Sequence, residues 1–527
     1  MNSLQSDPFL SKAQFSAFAV GVLFLLAYWI FGFDGITFSD DVYYLLAGKK
    51  FWKGTMEVND YHFSSRWGAY VPSGLVGYLL GFDAHKISLI SLISYATSLF
   101  LLIKILPKST PAWVLVLWFC TQVYFLHFLT KVYPDSLLVV WTCLVPVASV
   151  YRKSSPILSG IVLITALFAG FLTKETIVLM APLPILLFYF DWKKKELSNS
   201  FYLSVLVTGI MLSAAYLGYF WVKFGDPLHR ISSINAGHYI SEFTYADKGL
   251  LSILKRLTVL PIITFVERSY WAWIVFALPG ITVGLKSMKT PAFEFSLALL
   301  CLLIGFWFMS STLEFYNPIY LNPRHLIILV PMLSMLIALG WNKWKYSGRW
   351  KIYMVSLLLL GTGISLVQMD LKMAVFNLAL AMVVRFSNLK FYPVFVVLIL
   401  VVPALIAIPY QQKLKQYDLL IKTLRVETQK TDSKEAIYTH SFLDFSKKVL
   451  LPEDSISQEI LIPMYQLPKD PGQFPKQLKV LIYDYYLHAY PEEQKDVDEI
   501  SNWLRKHYEL LRTYKTGNII VSEYRLK

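Results

Sequence analysis

Asp40 and Asp41 follow Ser39 in the polar stretch Ser39-Asp40-Asp41-Val42-Tyr43-Tyr44, which lies between two apolar segments early in the chain. Adjacent carboxylates behind a serine favour a helix start, with Ser39 as cap and both acids at the positive end of the helix dipole. They can also take a proton from a reacting hydroxyl, or hold a divalent cation if further oxygens join them.

Cations that could meet an anion recur at later breaks in the apolar pattern. Lys174 and Glu175 are the charges within the 157–191 segment before Asp191, and that segment is shorter than the roughly 40 residues that two untilted spans and a turn require. Thr173-Lys174-Glu175 must therefore lie close to a membrane face, where Lys174 either snorkels or pairs with Glu175, or awaits a lipid phosphate. Pro323-Arg324-His325 opens a later apolar run, and the arginine fork suits a phosphate as well as it suits interfacial anchoring. Arg66, beside Trp67, can bind a ligand or stack on the surface. Asp135 follows Pro134 and can be an ordinary helix-start acid or part of a site.

Membrane helices must position these groups. Of 527 residues, 56% are hydrophobic and 16% charged, and the mean hydropathy is +0.50. The net charge of +14 falls largely in short clusters between apolar runs, such as Lys193 to Lys195 and the Lys343, Lys345, Arg349 and Lys351 group. That pattern fits the topology rule for cytoplasmic loops and argues against a nucleic-acid partner. Cys120, Cys143 and Cys301 each sit inside an apolar run, so they form no disulfide or zinc framework. The chain has no Walker loop, no His-Glu-x-x-His and no Gly-x-Ser-x-Gly elbow.

Apolar runs predict about thirteen spans, at 13–33, 85–105, 111–129, 134–150, 157–172, 176–191, 200–222, 269–285, 291–311, 324–341, 351–367, 373–386 and 391–409. The first is expected to be a retained signal anchor. The 373–386 run is the weakest, and losing it would move the tail to the other side of the membrane. With the N-terminus in the cytoplasm, the basic clusters stay inside. The 34–84 loop, the turns holding Asp135 and Lys174, the 223–268 loop and the tail then fall outside. Within the first loop, Gly68 to Gly81 reads as an interfacial helix. After residue 410 the composition becomes charged, with strand-like runs at 436–439, 479–485 and 518–524 and a helical stretch at 492–508. A membrane domain of 1–410 and a small extracytoplasmic α/β domain of 411–527 are expected.

The acid pair in the first loop, the interfacial helix, Asp135, Leu172-Thr173-Lys174-Glu175 and Pro323-Arg324-His325, in this order and on one face, resemble the GT-C glycosyltransferases. More narrowly, the membrane part is similar to family 39, which contains protein O-mannosyltransferases and the aminoarabinose lipid A transferase. Asp40-Asp41 departs from that family's Asp-Glu pair, and Lys174-Glu175 from the Lys-Gly of the lipid A enzyme.

The resemblance implies an all-α polytopic GT-C fold and an inverting transfer from a polyprenyl-phosphate sugar, hexose or pentose, to a hydroxyl, amine or phosphate of a lipid, polysaccharide or protein. It makes Asp40 the catalytic carboxylate, with Asp41 positioning the acceptor or holding the helix. Lys174 and Arg324, assisted by Arg66 or His325, would hold the donor phosphate, so no metal or other cofactor is required. Asp135, Tyr44, His229 and Arg230 would position substrate, and the 223–268 loop, with His238, Tyr239 and Tyr245, would cover the site. The expected location is a bacterial inner membrane, since the chain is compact and shows no retention signal. The competing possibilities are a lipid-linked-sugar flippase, a metal-dependent oligosaccharyltransferase-like enzyme, and a structural membrane protein with a receptor-like tail.

Overall fold

The computed structural model describes residues 10–236, 244–245, 248–312, 315–430, 435–452 and 454–527; His238 and Tyr239 lie outside them. All thirteen predicted spans are helical, from Lys12–Phe31 to Tyr392–Lys415. Among the described residues, seven helices are long and apolar enough to cross a membrane, or eight if one bent pair counts as a single span. That pair, Ala112–Cys120 and Val123–Leu129, bends by 71°. Gln122 makes the break: its backbone is extended, and its side chain caps the second half by accepting from Phe125 N at 2.7 Å. The weakest predicted span is the Leu371–Arg385 helix, capped by the Asp370 side chain and packed along Gly348–Val367.

Two close helix approaches build the region around the acid pair. Asp40–Trp52 crosses Trp67–Leu80, the predicted interfacial helix, where Gly48 meets Gly74; a Cβ on Gly48 would lie 2.8 Å from the Gly74 Cα. At Gly68 the same interfacial helix touches Pro156–Thr173 so tightly that a Cβ would collide with the Thr173 side chain. Glycine at both points lets the backbones meet, and the second contact brings the Arg66 end of one helix to the Lys174 end of the other.

The tail folds as a five-stranded sheet of β1 (Ala436–Thr439), β2 (Leu461–Pro463), β3 (Gln477–Tyr483), β4 (Tyr508–Thr516) and β5 (Ile519–Leu526), in the order β2-β1-β3-β5-β4. β1 is parallel to β2 and β3, and the β3-β5-β4 side is antiparallel. The helix expected at 492–508 is Gln494–His507, and Tyr508 instead begins β4. The preceding membrane helix passes the expected boundary at 410 and ends at Lys415, where Gln416 turns the chain with φ +46°. One hydrophobic core joins this domain to the first loop, combining Ile36, Phe38, Val42 and Tyr44 with Leu420, Phe442 and Tyr483.

Candidate active site

The two carboxylates of the acid pair have different partners. Asp41 is buried and folds back onto its own loop, where its Oδ2 accepts from Thr37 N at 2.6 Å and its Oδ1 from Ser39 N at 3.1 Å and Val42 N at 3.0 Å. It holds the loop and the helix start, and the expected cap by the Ser39 side chain is not made. Asp40 extends to Arg324, with Oδ2 2.8 Å from Nη2, and both side chains keep about a quarter of their surface exposed (24% and 22%). Because the oxygens of Asp41 are engaged by backbone N–H groups, a cation held at Asp40 would need oxygens from elsewhere.

Arg324 is placed by a short helix, Pro323–Leu326, whose Asn322 side chain accepts from Arg324 N at 3.0 Å. Its guanidinium lies 5.1 Å from the centre of the Tyr133 ring, a cation–π distance. His325 turns toward the Tyr320 carbonyl, with Nδ1 at 3.3 Å.

Lys174 and Glu175 do not pair with each other. Lys174 Nζ meets Asp135 Oδ1 at 2.7 Å and Oδ2 at 2.8 Å, and both residues are buried. Burial, helped by the nearby Arg324 and Arg66, pushes the lysine down to about 8 against the pull of Asp135. Glu175 is clasped by two arginines. Arg66 reaches it with Nε at 3.2 Å and Nη2 at 2.7 Å, and Arg230 with Nε at 3.1 Å and Nη2 at 2.6 Å. Arg66 also donates to the Tyr44 hydroxyl at 2.6 Å. Asp40, Tyr44, Arg66, Asp135, Lys174, Glu175, Arg230 and Arg324 therefore form one neighbourhood. His229 points away to Asp60, 3.7 Å distant, and stacks on Phe224. Tyr245 is held through its backbone by Asn317.

A second buried cluster sits beneath the acid loop. Asp34 is held by Lys131 and by Lys415, the latter at 3.3 Å, and Lys131 also bonds to the Gly35 carbonyl. Burial pushes the Asp34 carboxyl up, but the two lysines outweigh it and keep the group well below the usual range. From sequence, Glu175 is expected only as a partner for Lys174, not as the hub of two arginines, and Asp34 is not expected as an anchor. A charged residue directly after an apolar run is the one signal that could have marked Asp34.

The helical bundle, the first-loop helices and the distal sheet define a GT-C fold. Over 97% of its length the chain superposes on two crystal structures of ArnT from Cupriavidus metallidurans, covering 98% of that protein in each case. The structure bound to undecaprenyl phosphate gives a TM-score of 0.58 at 12% identity, and the apo structure 0.59 at 11%. No protein-family model and no curated protein sequence matches the chain.

Proposed function

We propose that the protein is an inverting glycosyltransferase of the bacterial inner membrane that moves a hexose or pentose from a polyprenyl phosphate to a lipid, glycan or protein acceptor on the extracytoplasmic face. The observation that carries this reading is the partly exposed Asp40–Arg324 pair, set beside the buried Lys174–Asp135 pair and the Arg66–Glu175–Arg230 clasp. The fold shared with ArnT, whose structure holds undecaprenyl phosphate, supports a lipid phosphate as the carrier.

A donor phosphate entering the neighbourhood competes with Asp40 for the Arg324 fork, because guanidinium binds phosphate and carboxylate in the same bidentate manner. Drawing Arg324 away leaves Asp40 free as a base. An acceptor hydroxyl then attacks the anomeric carbon from the face opposite the phosphate, and its proton passes to Asp40. The bond from the anomeric carbon to the phosphate oxygen breaks, with its electron pair leaving on that oxygen. Arg324, already moved onto the phosphate when the donor binds, and Lys174 stabilise the departing charge. Arg66 and Arg230, tied to Glu175, set the shape and potential of the same wall, and Tyr44 is positioned through Arg66.

Membranes carrying the protein should transfer radiolabel from synthetic polyprenyl-phosphate hexoses or pentoses to a lipid, glycan or protein fraction. Label that crosses sealed vesicles while still attached to its carrier would identify a flippase and refute the enzyme reading.

A further inference from the structure

We propose that an anionic glycerophospholipid binds in a lateral groove at the end of the bundle opposite Asp40, with its phosphate at Lys345 and Lys390 and an acyl chain between the helices. The groove comprises two adjoining chambers, both bordered by Pro111, Trp113 and Asn342. The larger, about 820 Å³, is walled mainly by apolar side chains including Ala17, Phe24, Val116 and Val401, with Gln14 and Lys108 also lining it. Its walls come from Lys12–Phe31, Ala112–Cys120 and Tyr392–Lys415. A volume in the range of about 300–1,000 Å³ is typical of ligand sites. The smaller chamber, about 610 Å³, forms the mouth and is lined by Lys345, Lys390, Ser387 and Asn388.

Charge identifies the occupant. No carboxylate lines either chamber among the described residues, whereas two lysines line the mouth and a third, Lys351, donates to Asn388 Oδ1 at 2.8 Å on its rim. The Lys345 ammonium is held 5.2 Å from the Tyr392 ring centre, and Lys390 is exposed. The Ser387 hydroxyl is buried with no hydrogen-bond partner among the described residues, leaving a donor at the polar end. An apolar slot with a cationic, hydrogen-bonding mouth matches a molecule with one phosphate and a hydrocarbon tail. The groove is separate from the candidate active site. Leu329–Lys345 has 17 residues and begins just after Arg324, so the mouth lies about 25 Å away along that helix.

The test is native mass spectrometry of the full chain in phosphatidylcholine nanodiscs titrated with phosphatidylglycerol. The wild type should retain one phosphatidylglycerol at concentrations where added phosphatidylcholine does not persist. Lys345→Gln and Lys390→Gln should each weaken retention about fivefold, and Val401→Trp, which fills the groove, should abolish it. Both lysines reach the surface, so the Gln variants keep the proposal testable if Val401→Trp fails to fold. Equal retention of the two lipids by the wild type, or undiminished phosphatidylglycerol binding in the Lys345→Gln/Lys390→Gln double variant, would overturn the proposal. Displacement of phosphatidylglycerol by an equimolar polyprenyl phosphate would also overturn it, assigning the groove to the carrier lipid.

Discussion

Replacing Asp40 and Asp41 in turn by Asn should give opposite phenotypes from two adjacent and chemically identical changes. Asn at position 40 keeps an oxygen for Arg324 and nearly the same volume. What is lost to folding is the charge of an ion pair whose partners are 24% and 22% exposed, worth about 0.2–1 kcal/mol. What is lost to catalysis is the proton acceptor, about 10²–10⁴-fold in rate, equivalent to about 2.7–5.4 kcal/mol. Asn at position 41 meets a different environment. The buried carboxylate accepts three backbone N–H groups at 2.6, 3.1 and 3.0 Å. The Asn amide has a single acceptor oxygen and would turn its NH₂ toward at least one of those donors. Each charged hydrogen bond lost costs about 1.5–3 kcal/mol, so Asp41→Asn should melt well below the wild type. Single-turnover transfer of radiolabel from a polyprenyl-phosphate sugar, run with thermal melting on the same preparations, separates the two effects. The assigned roles fail if Asp40→Asn turns over near the normal rate, or if Asp41→Asn is inactive at an unchanged melting temperature.

With Lys174 near 8, its charge is lost as pH rises through that value, so the donor KM should climb above about pH 8; Lys174→Arg should remove that limb in a KM–pH profile. Stability runs the other way: between about 8 and 10.5 the unfolded chain still binds the proton that folded Lys174 has released, so Lys174 favours folding more as pH rises in that window. At the opposite end of the bundle, buried Arg152 pairs with Asp191 at 2.8 Å and with Glu294; Arg152→Ala should cost about 3–5 kcal/mol yet leave kcat per folded molecule unchanged, as read by melting and active-site-normalised rates. The Tyr490 hydroxyl donates to the Thr37 carbonyl at 2.7 Å, so Tyr490→Phe should cost about 1 kcal/mol and lower kcat a few-fold with an unchanged donor KM, and a wild-type kcat would separate this contact from the site.

Hydropathy was enough to locate the helices of the thirteen expected spans, including the weak Leu371–Arg385, because an apolar run at a helical period leaves few other structures open to it. The expected 223–268 loop, however, contains the helices His229–Ala236, Leu250–Thr258 and Leu260–Glu267, which no long apolar run marks. Local pairing was harder to read. Lys174 and Glu175 are neighbours of opposite charge, yet Lys174 is extended (φ −162°, ψ 142°), and successive side chains of an extended backbone point apart. One therefore turns to Asp135 and the other to Arg66 and Arg230, through contacts 39, 109 and 55 residues distant in sequence. β4 escaped detection for a related reason. It is an edge strand exposed along most of both faces, so it lacks the apolar alternation by which a half-buried strand is recognised.

The distal domain is where the active-site reading and the fold depend on each other most directly. Phe38, two residues before Asp40, has φ +59°, a conformation that costs a bulky residue about 1–3 kcal/mol unless its surroundings enforce it. The surroundings are aromatic and come mostly from the tail: the rings of Phe442, Tyr483, Tyr485 and Tyr417 lie 5.4–6.2 Å from that of Phe38. Lys415, at the junction with the tail, reaches Asp34 on the same loop, and Tyr490 bonds to Thr37. The Thr37 N–H in turn donates to Asp41. The chain can turn sharply at Phe38 and present Asp40 to Arg324 because the distal domain encloses the turn. The domain thus acts on the geometry of the acid pair from outside the membrane core, and a change at its aromatic box should reach Asp40 without touching any residue that contacts Asp40.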